Sequence, residues 1–421
     1  MRQGSLLAIL LLLTSLWSVA SRANAQSAMQ ADIEALKRLV GELQSKVEAQ
    51  QRKIEALEAK QEAAAIETEL KPTPPPPPSA PATLAPGRRQ PAAAGGLLAR
   101  IPQIGVVGDI VYTGTERSED ADGNDRFRFR ELEVVLGDFV DPYTRFDAAV
   151  VWSDGEEVEI EEAFVTHFGL PYGLGMRLGK FRPRIGRINL KDLNALPFVN
   201  EPLVISEYFG EEGFAATGLE LSRFIPNPWD LFMEGSVAFV DGGNDVSFGG
   251  NSRRPILVGH LRSFFDFSDR LGLQLALTGM LGSTDVDRTM EAFIGGASMS
   301  WHYQPREFLR LTWLTEAYGQ DRRQEAPGIE ANPLGFFSNL DLRFHPRWSV
   351  GARYDLVEPL GLARRDGDRD QAIAGYLTFH QSEFALFRLQ LQHTEFASGR
   401  EDDAIFLQTR VQIGVDRHAL Q

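Results

Sequence analysis

The 421 residues contain no cysteine. Disulfides and thiolate metal sites are thereby excluded, and the fold must rest on hydrogen bonds and packing. Beyond residue 25 no stretch approaches the ~20 consecutive apolar residues that a membrane-spanning helix requires. Lysine nearly vanishes from residue 101 onward, where only Lys180 and Lys191 occur. The formal net charge is −15, and so acidic a chain argues against a nucleic-acid partner. Catalytic signatures are missing too: no Gly-x-Ser-x-Gly elbow, no paired-histidine metal helix and no phosphate-cradling glycine loop, while the seven histidines are scattered. The expectation is a protein that is not an enzyme and needs no cofactor.

What is present begins with an export signal. Arg2 precedes the apolar run Leu6 to Ala20, and Ala23-Asn24-Ala25 offers a small-x-small cleavage site. Residues 1–25 therefore read as a signal peptide, with Gln26 opening the mature chain. Loss of Arg2 and Arg22 takes the formal charge from −15 to −17. Residues 26–70 carry heptads, with Ile33, Val40, Val47 and Ile54 at a and Leu36, Leu43 and Leu57 at d, Gln50 being the polar exception. That spacing predicts an α-helical coiled coil. β-branched a with leucine d favours a dimer, and the polar Gln50 leaves the number of strands open. Residues 71–100 follow as a proline-rich linker, in which Pro74 to Pro78 settle into extended polyproline II.

From residue 101 to 421 the pattern is of short strands. Period-two alternation recurs sixteen times, as in Phe387, Leu389 and Leu391 against Arg388, Gln390 and Gln392. Links after even-numbered strands are tight, for example Pro226-Asn227-Pro228 and Gln381-Ser382-Glu383, whereas residues 115–125, 241–253, 319–334 and 358–370 form longer charged links after odd-numbered ones. Short turns at one end and long loops at the other describe an up-and-down barrel with both termini on the turn side. Aromatics cluster where membrane girdles would lie: Phe168, Tyr172, Phe224, Trp229, Phe267, Trp301, Tyr303, Phe344 and Trp348 at the turn end, and Tyr112, Trp152, Phe239 and Tyr318 near the loop end. The fold class is thus all-β, a transmembrane antiparallel β-barrel of about 16 strands preceded by the coiled coil. In the second strand the phase of RFRFRELEVVL changes near Arg130-Glu131, as a β-bulge would cause.

The order of signal, coiled coil, linker and barrel resembles the phosphate-selective porin O and P family. The local match is LGKFRPRIGRINL (178–190), where a strand ends in Phe-Arg-Pro and a glycine precedes the longest loop. The resemblance implies a trimeric channel for small hydrophilic solutes in the outer membrane of a Gram-negative-type bacterium, with the coiled coil in the periplasm. Anion selectivity in that family leans on basic pore residues, and two lysines are few for phosphate.

If the apolar rows face lipid, Arg128, Arg145, Arg177, Arg262, Arg310, Arg343, Arg353, Arg388 and Arg410 project into the lumen. So do Glu133, Asp147, Glu159, Glu161, Glu220, Glu234, Asp341 and Asp355. Such charges either line a pore or pair across strands to hold the barrel round. Residues 185–214 combine Asp192, Glu201, Glu207, Glu211 and Glu212 with apolar Leu196, Phe198, Val199, Val204, Ile205, Tyr208 and Phe209. Water disfavours so apolar a loop, which predicts that it folds inward as a constriction, its glutamates facing Arg128, Arg145 and Arg177. Asp120, Asp122 and Asn124 resemble the start of a calcium loop, but Gly123 is misplaced. The expected partners are outer-membrane lipid, two further copies of the chain, small hydrophilic solutes or inorganic anions, and the periplasm or cell wall through the coiled coil. The alternative function is envelope tethering by a barrel that serves chiefly as an anchor.

Overall fold

The computed structural model describes residues 102–116, 125–154, 158–241, 246–249, 255–284, 291–323, 330–360 and 368–414. The signal, coiled coil, proline-rich linker and Asp120–Asn124 segment lie outside the described residues. Sixteen strands form one sheet: β1 (Gln103–Thr115), β2 (Arg126–Asp141), β3 (Thr144–Trp152), β4 (Glu159–His167), β5 (Leu174–Phe181) and β6 (Ala216–Phe224). They continue with β7 (Phe232–Asp241), β8 (Ile256–Ser268), β9 (Leu271–Ser283), β10 (Glu291–Tyr303) and β11 (Arg310–Arg323). The last five are β12 (Leu334–His345), β13 (Trp348–Val357), β14 (Asp370–His380), β15 (Ala385–Glu395) and β16 (Glu401–Gly414). A two-residue piece, Glu330–Ala331, extends the pairing of β12 along the end of β11.

Each strand pairs antiparallel with the next, and β16 returns to β1 in a register running from Gly105 opposite Gly414 to Thr115 opposite Ala404. The sheet is therefore closed and has no free edge. All the even-to-odd links are turns at one end, and the long segments 182–215 and 242–255 lie at the other, although two loop-end links (153–158 and 396–400) are short.

Alternation sorts the side chains by face. On β9, Leu275, Leu277 and Leu281 point outward, with Leu277 60% exposed, while Ala276, Thr278 and Met280 are buried inside. Ile373 and Leu377 on β14, and Leu407 and Val411 on β16, continue the apolar exterior. The phase change in β2 is a bulge: Asp109 faces Glu131 and Ile110 faces Phe129, leaving Arg130 as the extra residue. It turns Glu131 and Glu133 inward, one residue out of step with Phe127 and Phe129.

The interior departs from a uniformly charged lumen. Beneath β7 to β14, Ala238, Val240, Ile256, Val258, Met280, Ile294, Phe337 and Val357 form a buried apolar wall. The girdle assignment also needs one correction. Tyr318 is 1% exposed and points into the barrel, where its ring meets Phe209 edge-on at 5.0 Å. Its neighbours Glu316 and Gln320 are buried as well, so the inward row of β11 is the even-numbered one.

Leu277 lies mid-strand on the exterior, which gives a direct test of what bathes that face. If it is hydrocarbon, Leu277→Arg should cost about 2–4 kcal/mol in a lipid-bilayer unfolding titration. If it is water, the exposed leucine should accept arginine at almost no cost.

Candidate functional site

The barrel is occupied by its own longest link. Chain leaving β5 at Phe181 turns inward through Arg182-Pro183-Arg184, crosses the interior and returns to β6 at Ala216. It includes two 3-10 turns, Ile188–Leu190 and Leu193–Ala195, and one short helix α1 (Leu203–Phe209), which ends at Gly210 with φ 100°. Ile185, Ile188, Leu196, Phe198, Val204, Ile205, Tyr208, Phe209 and Phe214 are buried against the apolar wall. Each such side chain withdrawn from water contributes roughly 1.5–3 kcal/mol, which is the force that holds the loop in.

Polar groups fix where it sits. Asn189 closes the base of the loop, donating to the carbonyls of Pro183 and Phe214 (both 3.0 Å) and accepting from the Phe214 amide at 2.7 Å. The Glu316 carboxylate accepts the backbone N–H of Arg187 at 2.5 Å and of Ile188 at 3.2 Å. Gly186 precedes them with φ 57°, and a Cβ there would collide with the Tyr318 hydroxyl and Glu316. Farther on, Gln390 accepts the Val199 amide (2.8 Å), Arg388 donates to the Phe198 carbonyl (3.2 Å), and Arg353 donates to the Asn200 carbonyl (2.7 Å) while its guanidinium lies 4.3 Å from the Phe198 ring centre.

Among the described residues, two cavities border the loop. One, of about 330 Å³ near the turn end, is lined by Arg187, Lys191, Arg310, Arg343, Arg388 and Arg410 with His302 and His380, and by a single carboxylate, Asp341. The other, of about 210 Å³ near the loop end, is lined by Glu131, Asp154, Glu159, Glu161, Glu211 and Glu212 against Arg128, Arg130 and Arg182. The short turn Leu193–Ala195 separates them, with Leu193 bordering the acidic cavity and Asn194 and Ala195 the basic one. The Asn194 amide nitrogen donates to Glu131 and, at 2.8 Å, to Glu133, while its oxygen accepts from Arg410 at 3.2 Å. One side chain thus bridges the two fields.

The nine arginines divide into three groups. Arg145, Arg177, Arg262 and Arg353 pair with wall acids: Asp147 at 2.9 Å, Glu220 at 2.9 Å, Glu234 at 2.5 Å and Asp355 at 3.0 Å. Arg310, Arg343, Arg388 and Arg410 line the basic cavity, and Arg128 the acidic one. The expected facing of loop glutamates onto Arg128, Arg145 and Arg177 is therefore corrected, because wall carboxylates already hold two of the three. Only Glu211 and Glu212 share a cavity with Arg128. Asp192 is buried and paired with Arg182 at 3.4 Å. Glu207 sits on the loop's flank, accepting the Leu360 amide at 2.7 Å. Glu201 is buried among Arg182, Arg353 and Arg130.

Sequence reasoning missed a second tier of charge. Arg182 bonds Glu161 and the Glu212 carbonyl, Arg184 pairs with Glu220 at 3.0 Å and Glu234 at 3.4 Å, and Arg130 pairs with buried Asp109. The run Arg182-x-Arg184-x-x-Arg187 was the available signal: three cations opening an otherwise apolar loop need buried acids opposite them. Asn189 and Asn194 gave no comparable sign.

No family model matches the chain. A protein of Aquifex aeolicus (strain VF5), described only as uncharacterized, is 28% identical over 320 residues, which is 67% of this chain and 66% of that protein. The chain thus spans just under two thirds of that relative's length. Among solved structures, the anion-selective porin from Comamonas acidovorans superposes with TM-score 0.52 at 13% identity, over 74% of this chain and 99% of its own. The outer-membrane channel DcaP of Acinetobacter baumannii gives 0.51 at 11% identity, over 74% and 96%. A loop-deletion mutant of OmpT, an outer membrane protein of Vibrio cholerae, gives 0.50 at 8%, over 74% and 99%. The barrel has the porin fold.

Two substitutions test the docking of the loop. Gly186→Ala places a side chain in the left-handed region against Tyr318 and Glu316, and should loosen the loop by about 1–2 kcal/mol, read as faster protease cleavage within 182–215. Glu201 supplies a pH test. Burial lifts its pKa from 4.5 to about 7, against the opposing pull of Arg182, Arg353 and Arg130. The folded state then holds this proton more tightly than the unfolded state, so the stability it confers is full below pH 4.5 and is lost as pH rises to 7. Glu201→Gln should remove that slope and gain about 3 kcal/mol over the parent at pH 8, measured by thermal melting across the range.

Proposed function

We propose that the protein is an outer-membrane porin that passes small hydrophilic solutes, inorganic and organic anions among them, through a lumen narrowed by the 182–215 loop. The observation that carries this reading is the pair of charge-lined cavities on either side of the Leu193–Ala195 turn, one nearer each end of the barrel. A loop that served only to fill the barrel would have no need of unneutralised arginines around open space. Arg128, Arg145, Arg177, Arg262, Arg310, Arg343, Arg353, Arg388 and Arg410 are the proposed lining, with Asp192, Glu201, Glu211 and Glu212 shaping the constriction from the loop. Guanidinium groups, not lysines, would supply the anion preference, through bidentate contacts to carboxylate or phosphate oxygens.

The turn end belongs on the periplasmic side in this reading, and a periplasmic coiled coil over residues 26–70 that contacts the cell wall is part of the proposal. Assembly as a homotrimer is part of the proposal. The resemblance to phosphate-selective porins O and P remains one of layout. A second reading, the anchor, is favoured by the completeness of the loop packing, since Phe198, Val204, Ile205, Tyr208 and Phe209 are all 0% exposed.

Planar-bilayer recording separates the two. A porin passes discrete current steps, and Asn194→Gly, which removes the bridge between the cavities, should raise the unit conductance about twofold or more. Silence in the parent protein together with silence in Asn194→Gly would establish the anchor.

A further inference from the structure

The two cavities differ in sign as well as in position. Six carboxylates face three guanidiniums in the loop-end cavity, and two of those three are already engaged, Arg182 with Glu161 and Arg130 with Asp109. Lys180 lies outside the lining and pairs with Glu159 at 2.9 Å, which still leaves an excess of negative charge. In the turn-end cavity Asp341 is the one carboxylate in a lining that holds five arginines and Lys191, while Glu316 acts on Arg187 and Asp109 on Arg388 from outside it. The hydrogen bonds of its arginines run to neutral groups. Arg410 donates to Asn194 and Gln412, Arg388 to Thr378 and Gln408, Arg187 to Gln274, and Arg343 to the Pro346 carbonyl. Their charge is left to act on whatever fills the cavity.

We propose that these opposed chambers make the channel a current rectifier, conducting better when the loop-end side is positive than when the turn-end side is. The inference rests on the porin reading and adds a direction to it. Fixed carboxylates hold mobile cations in the loop-end chamber, and fixed guanidiniums hold mobile anions in the turn-end chamber. A potential that is positive at the loop end drives both populations toward the Leu193–Ala195 partition, and carriers accumulate there. The opposite potential draws both away and leaves the partition depleted of ions. Low-dielectric walls keep the fields of these groups strong within the cavities. Screening acts over about 10 Å at 0.1 M salt and about 3 Å at 1 M, so the effect belongs to dilute solutions.

The experiment is a single-channel current–voltage curve in symmetric potassium chloride, with insertion direction set by a tag in the 115–125 loop. At about 0.1 M salt the current should differ by about twofold or more between equal and opposite potentials, falling toward equality at about 1 M. Neutralising one chamber, by Arg310→Gln with Arg343→Gln, should flatten the curve. So should neutralising the other independently, by Glu159→Gln with Glu211→Gln, the asymmetry being read as the ratio of currents at equal and opposite potentials for each variant. A straight curve at low salt from a conducting parent would overturn the rectifier and leave the porin standing. Rectification of the opposite sense, or undiminished in both double variants, would also overturn it. Absence of any current would instead remove the porin reading on which it stands.

Discussion

Closure of the sheet, β1 onto β16, is the constraint on which everything inside the barrel depends. A membrane offers no water to unpaired backbone groups, so a spanning sheet must satisfy every N–H and C=O within itself. Once sixteen strands have closed, the two faces of each strand meet different solvents, and the outward row must be apolar whatever the inward row does. The inward row is then free to carry chemistry. On β15 the outward Phe387, Leu389 and Leu391 alternate with Arg388 and Gln390, which are nearly or fully buried.

A barrel of this size encloses more space than its wall side chains fill, and the 182–215 segment takes up the difference. Two forces place it. Apolar residues drive α1 and its flanks onto the hydrophobic wall of β7 to β14, while buried arginines and acids align the strand-proximal ends. The ion pairs of Arg182, Arg184 and Arg353 do not by themselves promise stability, because the desolvation of each partner offsets much of the attraction. They specify position. Removing one partner would strand the other in a dry interior, and that penalty keeps the loop in a single docked arrangement. The cavities are what remains where the wall is polar and the loop turns away from it.

Much of the architecture was legible in residue order. The alternation and the turn-length asymmetry located all sixteen strands to within a few residues, and even the phase slip at Arg130 was visible, since a bulge shifts a period-two pattern by one. The inward docking of residues 185–214 followed from their apolar content alone. Tyr318 was misassigned because an aromatic near a strand end reads the same way whichever face it occupies. Parity along β11, with Glu316 and Gln320 as its inward neighbours, decides it. The pairing of charges was legible least of all. Arg145 and Arg177 looked available to the loop, yet Asp147, two residues along the same strand, and Glu220, opposite on the next strand, come within reach first.

What the sequence determined by itself was therefore the alternation of faces, the number of strands and the identity of the segment that cannot remain in water. These are local properties, carried by neighbours in the chain and by simple period. Only the tertiary structure decided which charges meet across the interior and that the two cavities differ in sign. Asn194 bonds to Glu131, Glu133 and Arg410, residues up to 216 positions away in the chain. No pattern in linear order encodes a contact made by a loop folded back through a closed barrel, because its partners are set by strand register and by the depth to which the loop can sink.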